Sequence, residues 1–119
     1  VGDDLLYISR NAFSYKWNGS SRDFIDRLDL KREICFFGAG EYAQLLSCYF
    51  PELYEVVSYH IVSSREGVRL FPKQVYELDE VNLIDSQIIL AVHPSASVLV
   101  SELLRSCNAS NIIRPPTYV

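Results

Sequence analysis

A short stretch in the first half of the chain combines the residue types best suited to binding an anion. The segment GAGEYA at residues 38–43 has the spacing G-x-G-x-x-A and directly follows an apolar run at residues 34–37. The first glycine permits a sharp turn, the second lets a phosphate approach the backbone, and the final alanine lets a helix pack closely on the strand. Free N–H groups at the helix start, together with the helix dipole, would attract an anion. The sequence therefore predicts five ligand-binding residues here: Gly38, Ala39, Gly40, Glu41 and Tyr42.

Glu41 places a carboxylate beside this proposed anion site. Negative charge in the first turn stabilises a helix, but it also repels phosphate. We expect the Glu41 side chain to face solvent, and an inward orientation would weaken phosphate binding.

Two other groups of residues should lie close to the turn at residues 38–40, which we call the glycine turn. Ligands of open parallel sheets bind beyond the carboxyl ends of the strands, where the strand order reverses. The second predicted strand ends at Ser63, Ser64 and Arg65, and the fourth is followed by His93 and Ser95. An imidazole can donate a hydrogen bond or exchange a proton, so His93 could donate to a phosphate or act as an acid or base, or it could be held by backbone groups alone.

The expected acidic residue of an NAD site is missing at its usual place. That carboxylate lies about 20 residues after the first glycine and accepts the ribose hydroxyls. Val62, Ser63 and Ser64 stand near that position, and Glu66 comes late. Arg65 with the two serines could instead hold a 2′-phosphate, which keeps NADP as an alternative cofactor.

The sequence lacks the residues that several other kinds of site require. No Lys-Ser/Thr pair follows the glycines, as a phosphate-binding loop would require, and no G-x-S-x-G hydrolase motif is present. The acidic residues are spread among predicted loops and helix ends, so we expect neither paired catalytic carboxylates nor a metal site. His60 lies within a predicted strand and is interpreted as structural. The sequence therefore predicts no catalytic residue.

Composition narrows the class of protein further. The net charge is -4 with scattered basic residues, which argues against nucleic acid as a partner, and no apolar run approaches the length needed to span a membrane. Three cysteines without C-x-x-C spacing favour buried thiols in a reducing, cytoplasmic setting. The sequence contains no methionine, which suggests a piece of a larger protein with a flanking domain as its partner.

Alternating strand and helix patterns predict an α/β fold. We expect strands at residues 34–37, 56–62, 74–76, 87–92 and 112–113, a helix at 41–50 stopped by Pro51, and a helix to about residue 107 capped by Ser95 or Ser97. Segments of these lengths favour a parallel sheet with right-handed crossovers. We expect the strand order 3-2-1-4-5, as in Rossmann-like sheets.

The first 30 residues are predicted to form an arm packed on this domain. Phe13, Tyr15 and Trp17 alternate with polar residues, which indicates a strand, and residues 20–28 resemble a serine-capped amphipathic helix. We place the α/β domain at residues 31–114 and the start of a linker or tail at 115–119.

Residues 31–114 resemble a Rossmann-like, three-layer accessory domain of bacterial glycan-building enzymes. The segments that carry the likeness are residues 34–43, 55–62, 74–78 and 85–92. Similar domains are the N-terminal nucleotide-sugar-binding domain of sugar O-acyltransferases and modules attached to sugar methyltransferases and glycosyltransferases. In the acyltransferases the glycine turn contacts the nucleotide-sugar phosphates, which implies that role for Gly38, Ala39 and Gly40. The sequence departs from many such modules at Val62 and Ser63, where they carry an aspartate.

Three functions remain open. The first is a nucleotide or nucleotide-sugar binding module from a cytoplasmic polysaccharide-biosynthesis enzyme, not catalytic by itself. The second is the NAD(P)-binding half of an oxidoreductase. The third is a scaffold with an empty crevice.

Overall fold

The computed structural model describes residues 25–114, which form one parallel sheet with helices on both faces. The elements in chain order are β1 (Ile34–Phe37), α1 (Glu41–Tyr49), α2 (Pro51–Glu55), β2 (Tyr59–Val62), β3 (Val75–Glu77), a 3-10 turn (Leu78–Glu80), β4 (Gln87–Leu90), a second 3-10 turn (Pro94–Ala96), α3 (Ser97–Ser106) and β5 (Asn111–Ile113).

The strand order is β3-β2-β1-β4-β5, which confirms the predicted order. All four neighbouring pairs are parallel, and β1 lies at the centre, with Phe36 opposite His60 of β2 and Ile89 of β4. The chain moves outward from β1 to β3, then crosses back to β4 on the other side. The reversal of strand order therefore falls between β1 and β4, and a crevice should open there.

Two apolar cores form because successive strand side chains point to opposite faces of the sheet. On one face Phe36 of β1 packs with Leu46 of α1 and Leu53 of α2, and all three are fully buried. On the other face Cys35 packs with Leu104 of α3. Every residue of β1, β2 and β4 is buried, as expected for central strands covered on both sides.

The predicted second strand was three residues too long at its start. Pro51 does not simply end the preceding helix: it begins α2, where its missing N–H costs nothing. The N–H groups of Val56 and Val57 donate to the carbonyls of Leu53 and Tyr54, so these residues close α2. Their β-branched side chains carry strand propensity, which local helix bonds override.

Other boundaries shift by one or two residues. The third strand is Val75–Glu77, the fourth ends at Leu90, and the fifth begins at Asn111. Neither predicted serine caps α3 with its side chain, because the N-cap is Ala96 and the Ser97 hydroxyl donates to the carbonyl of Pro94.

Most of the predicted N-terminal arm lies outside the described residues. The aromatic strand of Phe13, Tyr15 and Trp17 and most of the capped helix fall in this part. The predicted linker or tail at residues 115–119 also lies outside the described residues. Of the helix, Ile25 and Leu28 are described, and both are buried in the core beside α1 and α2. Within residues 25–114, no helix has the length and apolar character needed to cross a membrane.

Replacing Gly38 should be the most damaging glycine substitution in the sheet region. Gly38 has φ +123°, and an added Cβ would lie 2.4 Å from the carbonyl oxygen of Ala91. We expect Gly38→Ala to lower the free energy of unfolding by about 2–5 kcal/mol, from strain and backbone overlap together. Chemical denaturation monitored by circular dichroism measures this.

Gly67→Ala is the matched control. Gly67 also has positive φ, at +74°, but an added Cβ would have no neighbour within 4 Å. It should cost only the backbone strain, about 1–2 kcal/mol. Equal losses in the two variants would show that the contact with Ala91 is unimportant.

Candidate functional site

A cleft of about 300 Å³ opens at the carboxyl ends of β1, β2 and β4. It lies where the strand order reverses. Its residues come from the glycine turn, from the loop after β2 and from the segment after β4: Phe37, Gly38, Ala39, Gly40, Glu41, Tyr42, Val62, Ser63, Ser64, Glu66, Gly67, Val68, Ala91, Val92 and His93. Eight of the ten residues predicted to bind a ligand line this cleft, and Arg65 and Ser95 do not.

Gly38 holds the floor of the cleft together. Its N–H donates to the carbonyl of Ile61 in β2 (2.8 Å), and Ala91 beyond β4 donates to the carbonyl of Phe37 (2.9 Å). The positive φ of Gly38 then turns the chain away from the sheet toward α1. Only glycine adopts this conformation without strain, and here it also avoids the Ala91 carbonyl.

The three carbonyl groups of the turn all bond to donors within the protein. The Gly38 oxygen lies 2.8 Å from Nδ1 of His60, the Ala39 oxygen accepts from the N–H of Arg69 (2.7 Å), and the Gly40 oxygen accepts from the N–H of Gln44 (3.1 Å). In a trans peptide the N–H points opposite to the carbonyl of the same unit. Fixing the three carbonyls therefore also fixes the directions of the next three N–H groups.

The start of α1 has no side-chain cap. Gly40 is the N-cap residue and, being a glycine, it provides no side-chain cap to the first turn. The first N–H groups of a helix have no partner inside the helix, and its dipole adds partial positive charge there. The start of α1 thus presents a donor surface to the cleft.

Gly40, unlike Gly38, is not required by the fold. Its φ is -105°, which any residue adopts, and an added Cβ would lie 4.0 Å from its nearest neighbour, the carbonyl oxygen of Gly67. Gly67 is on the opposite wall of the cleft. A larger side chain at position 40 would therefore occupy the cleft rather than disturb the core.

The loop after β2 forms the second wall, with an arrangement that the sequence did not predict. Ser63, Ser64 and Glu66 line the cleft, and the Ser64 hydroxyl oxygen accepts from the N–H of Glu66 (3.2 Å). Arg65 points elsewhere: its guanidinium donates to the carbonyl of Val75 (3.1 Å) and pairs with Glu80 (3.0 Å).

His93 forms the third wall, and Ser95 orients it. The backbone N–H of Ser95 donates to Nδ1 of His93 (3.1 Å), and the Ser95 hydroxyl lies 2.8 Å from the same atom. A backbone N–H can only donate, so Nδ1 of neutral His93 is the acceptor and its proton is on Nε2. The His93 ring also meets the edge of the Tyr42 ring, with centroids 6.0 Å apart. Ser95 thus acts on the site through His93.

His60 supports the floor of the cleft from below. It is fully buried, with Nδ1 facing the Gly38 carbonyl and Nε2 2.8 Å from the hydroxyl of Tyr54. A carbonyl can only accept, so Nδ1 carries the proton and Nε2 accepts from Tyr54. Burial lowers the pKa of His60, and the positive charge of Lys73 lowers it further, against the opposing effect of the bond to Gly38. The imidazole is therefore kept neutral.

The charged side chains that line the cleft are negative. Glu41 and Glu66 are the charged residues among those that line it, and both are exposed. Neither Lys nor Arg lines the cleft within the described part of the chain. An anion here would be held by N–H dipoles and by His93 rather than by a basic side chain.

One acidic group is more compact than the sequence suggested. Glu77, Asp79 and Glu80 bring carboxylate oxygens within 4.8 Å of one another, although their residues were expected to be dispersed. Glu80 is already engaged, because it accepts from Arg65 and from the N–H of Glu77. These residues do not line the cleft.

The residues that the sequence missed lie on the β2–β3 loop and beneath the turn. Glu66 was judged too late in the chain, because an acidic residue was expected at the end of the strand itself. Gly67 in the same loop was the available signal, since a glycine there indicates a turn that could bring its neighbours back over the cleft. The sequence around His60 does not indicate its hydrogen bond to Gly38, because the two residues come together only when β2 pairs with β1.

Comparison with known proteins adds no family to this description. A scan against protein-family models and searches of curated proteins and of solved structures found no match. The fold and the cleft therefore rest on the chain's own geometry.

The low pKa of His60 should make the protein acid-sensitive. Below its ordinary pKa of 6.5, unfolded His60 takes up a proton while folded His60 resists it. Stability contributed by neutral His60 is therefore present above this value and falls as the pH drops toward the lower folded pKa. We expect the free energy of unfolding of the wild type to fall more steeply between pH 7 and pH 5 than that of His60→Asn.

Urea unfolding at several pH values measures this difference. The carboxylates and the remaining histidine are common to both proteins, so their contributions cancel in the comparison. Parallel curves for wild type and variant would contradict a depressed pKa at His60.

Proposed function

We propose that this domain is a Rossmann-like binding module for a nucleotide or nucleotide-sugar, serving a larger polysaccharide-biosynthesis enzyme. The observation that carries the proposal is the cleft at the reversal of strand order, with the uncapped start of α1 and the glycine turn forming one wall. Parallel sheets bind ligands at this place. Phosphate oxygens would accept from the N–H groups of the turn.

The opposite wall suits a ribose. Glu66, Ser63 and Ser64 line the cleft, and their side chains carry a carboxylate and two hydroxyl groups. A carboxylate accepts hydrogen bonds from both hydroxyls of a ribose diol, whereas it would repel a 2′-phosphate. Glu66 therefore supplies the acceptor that appeared to be missing at Val62 and Ser63.

The volume sets how much of a ligand can be enclosed. About 300 Å³ lies at the lower end of the range for small-molecule pockets. A nucleotide-sugar would place its nucleoside and nearest phosphate in the cleft and extend its sugar outward. Enclosure of only one part of the ligand fits an accessory module better than a complete active site.

The acidic lining predicts how binding responds to salt. With Glu41 and Glu66 at the cleft and neither Lys nor Arg among the described residues that line it, long-range attraction of an anion is weak. Affinity would come from short-range N–H donors in the turn, so raising the salt concentration should change it little.

An NAD-binding oxidoreductase half is the second candidate. Glu66 favours it over an NADP-binding domain, because Arg65 is paired with Glu80 away from the cleft. His93 at the mouth, with its proton on Nε2 when neutral, could donate to a substrate.

Calorimetric titration with UDP-glucose, AMP, NADH and NADPH tests these assignments. We expect micromolar to millimolar binding of UDP-glucose or AMP by the wild type and none by Gly40→Asp, since the added carboxylate would enter the cleft and repel the phosphate. Glu66→Gln should weaken nucleotide binding by about threefold to tenfold through loss of a charged acceptor.

Arg65→Ala is the matched control in the same loop. Its ion pair with Glu80 is exposed, so its loss should change the free energy of unfolding by no more than about 1 kcal/mol and leave nucleotide binding intact. NADPH binding that disappears in Arg65→Ala would support the NADP alternative instead. If none of the four compounds binds, the ligand-binding function is wrong and a scaffold remains.

A further inference from the structure

The glycine turn has one support whose role goes beyond packing. Among the three carbonyls of the turn, those of Ala39 and Gly40 bond to backbone N–H groups, whereas that of Gly38 depends on the side chain of His60. A single substitution can therefore remove this support and leave the other two in place.

We propose that His60 is a positioning residue for the cleft, fixing the peptide unit between Gly38 and Ala39 so that the N–H of Ala39 faces the ligand. Nδ1–H of His60 holds the Gly38 carbonyl on the buried side at 2.8 Å. Because the N–H of a trans peptide points opposite to its carbonyl, the N–H of Ala39 is directed away from His60. Its use by a ligand rests on the proposed nucleotide-binding function.

The surroundings hold the imidazole in one orientation. Its ring is flanked by Phe71, with centroids 4.2 Å apart, and by the edge of Phe36 at 5.7 Å. The Gly38 carbonyl can only accept, so Nδ1 carries the proton, and Nε2 accepts from the hydroxyl of Tyr54. The donor thus reaches Gly38 with its direction and its tautomer both set.

The support matters because the turn itself is permissive. Glycine populates a wide range of backbone angles, so the peptide unit after Gly38 can rotate at low cost. Without a donor, the Gly38 carbonyl would be buried without a partner, a state that proteins avoid. Rotation toward water would turn the N–H of Ala39 away from the cleft.

Nuclear magnetic resonance of the ligand-free protein tests the positioning step. In the wild type, the ¹⁵N signals of His60 should show a protonated Nδ1 and an unprotonated Nε2. His60→Leu, which has no donor, should displace the amide signal of Ala39. His60→Asn should restore that signal toward wild type, because the asparagine amide nitrogen lies at about the position of Nδ1.

Val57→Ala is the matched control for general loss of packing. Val57 is buried in the same core as the residues around His60, and it makes no polar contact with the turn through its side chain. It should lower stability without displacing the Ala39 signal. An Ala39 displacement in Val57→Ala equal to that in His60→Leu would overturn the proposal.

Titration with inorganic pyrophosphate separates this proposal from the proposed function. We expect His60→Leu to weaken pyrophosphate binding by about tenfold, the loss of one hydrogen bond to a charged group, and His60→Asn to recover most of it. If the wild type does not bind pyrophosphate but the Ala39 signal moves in His60→Leu and returns in His60→Asn, positioning is supported and anion binding is wrong.

Two results would overturn the positioning role. One is a proton on Nε2 rather than Nδ1 in the wild type, a measurement that needs no variant and stands even if His60→Leu fails to fold. The other is an Ala39 amide signal in His60→Asn that is displaced as far as it is in His60→Leu.

Discussion

The close approach of Gly38 to the backbone after β4 is the constraint on which the cleft depends. An added Cβ would lie 2.4 Å from the carbonyl oxygen of Ala91, so β1 and β4 can remain paired to their ends only when residue 38 lacks one. The bond from the N–H of Gly38 to the carbonyl of Ile61 ties β2 to the same point. All the walls of the cleft begin at this junction, because each is the chain that leaves one of these three strands.

The cleft concentrates donors rather than positive charge. The carbonyls of the glycine turn are engaged by His60, by the Arg69 backbone and by α1 itself. Burying a carbonyl without a hydrogen-bond partner is costly, so folding favours these three bonds. The same bonds set the orientation of the turn. A recognition surface made this way needs no lysine or arginine, and its donors stay fixed while exposed side chains move.

Much of the fold was predictable because its signals are local. The apolar runs at residues 34–37 and 88–92 contain no polar residue that would suit an exposed strand, and alternation with helices leads directly to a parallel sheet. The boundaries near Pro51 were not predictable from the same signals. Strand propensity at Val56 and Val57 competes with hydrogen bonds to α2, and the outcome depends on how α2 packs.

The site was predictable as far as it follows from topology. Parallel strands end together, so the turn at Gly38 and the residue His93 had to lie near one another once the strand order was known. The directions of individual side chains were not determined in this way. Arg65 and Glu66 are adjacent in the chain, yet Arg65 turns toward Glu80 while Glu66 lines the cleft. Side chains in an irregular loop follow no fixed period, so the sequence does not give their directions.

A chain of contacts links the helix pair to the glycine turn. Lys73 donates to the carbonyls of Tyr54 and Val57 at the end of α2, and its ammonium lies 4.2 Å from the centre of the Tyr54 ring. Tyr54 in turn donates to His60, which holds Gly38. Burial lowers the pKa of Lys73, and Glu55 partly opposes that shift. The second helix, which begins at Pro51 where a stop was expected, therefore presents Tyr54 to the histidine beneath the cleft. Without this short helix the sheet could still form, but Nε2 of the imidazole would lose its hydrogen bond to Tyr54 and would be buried without a partner.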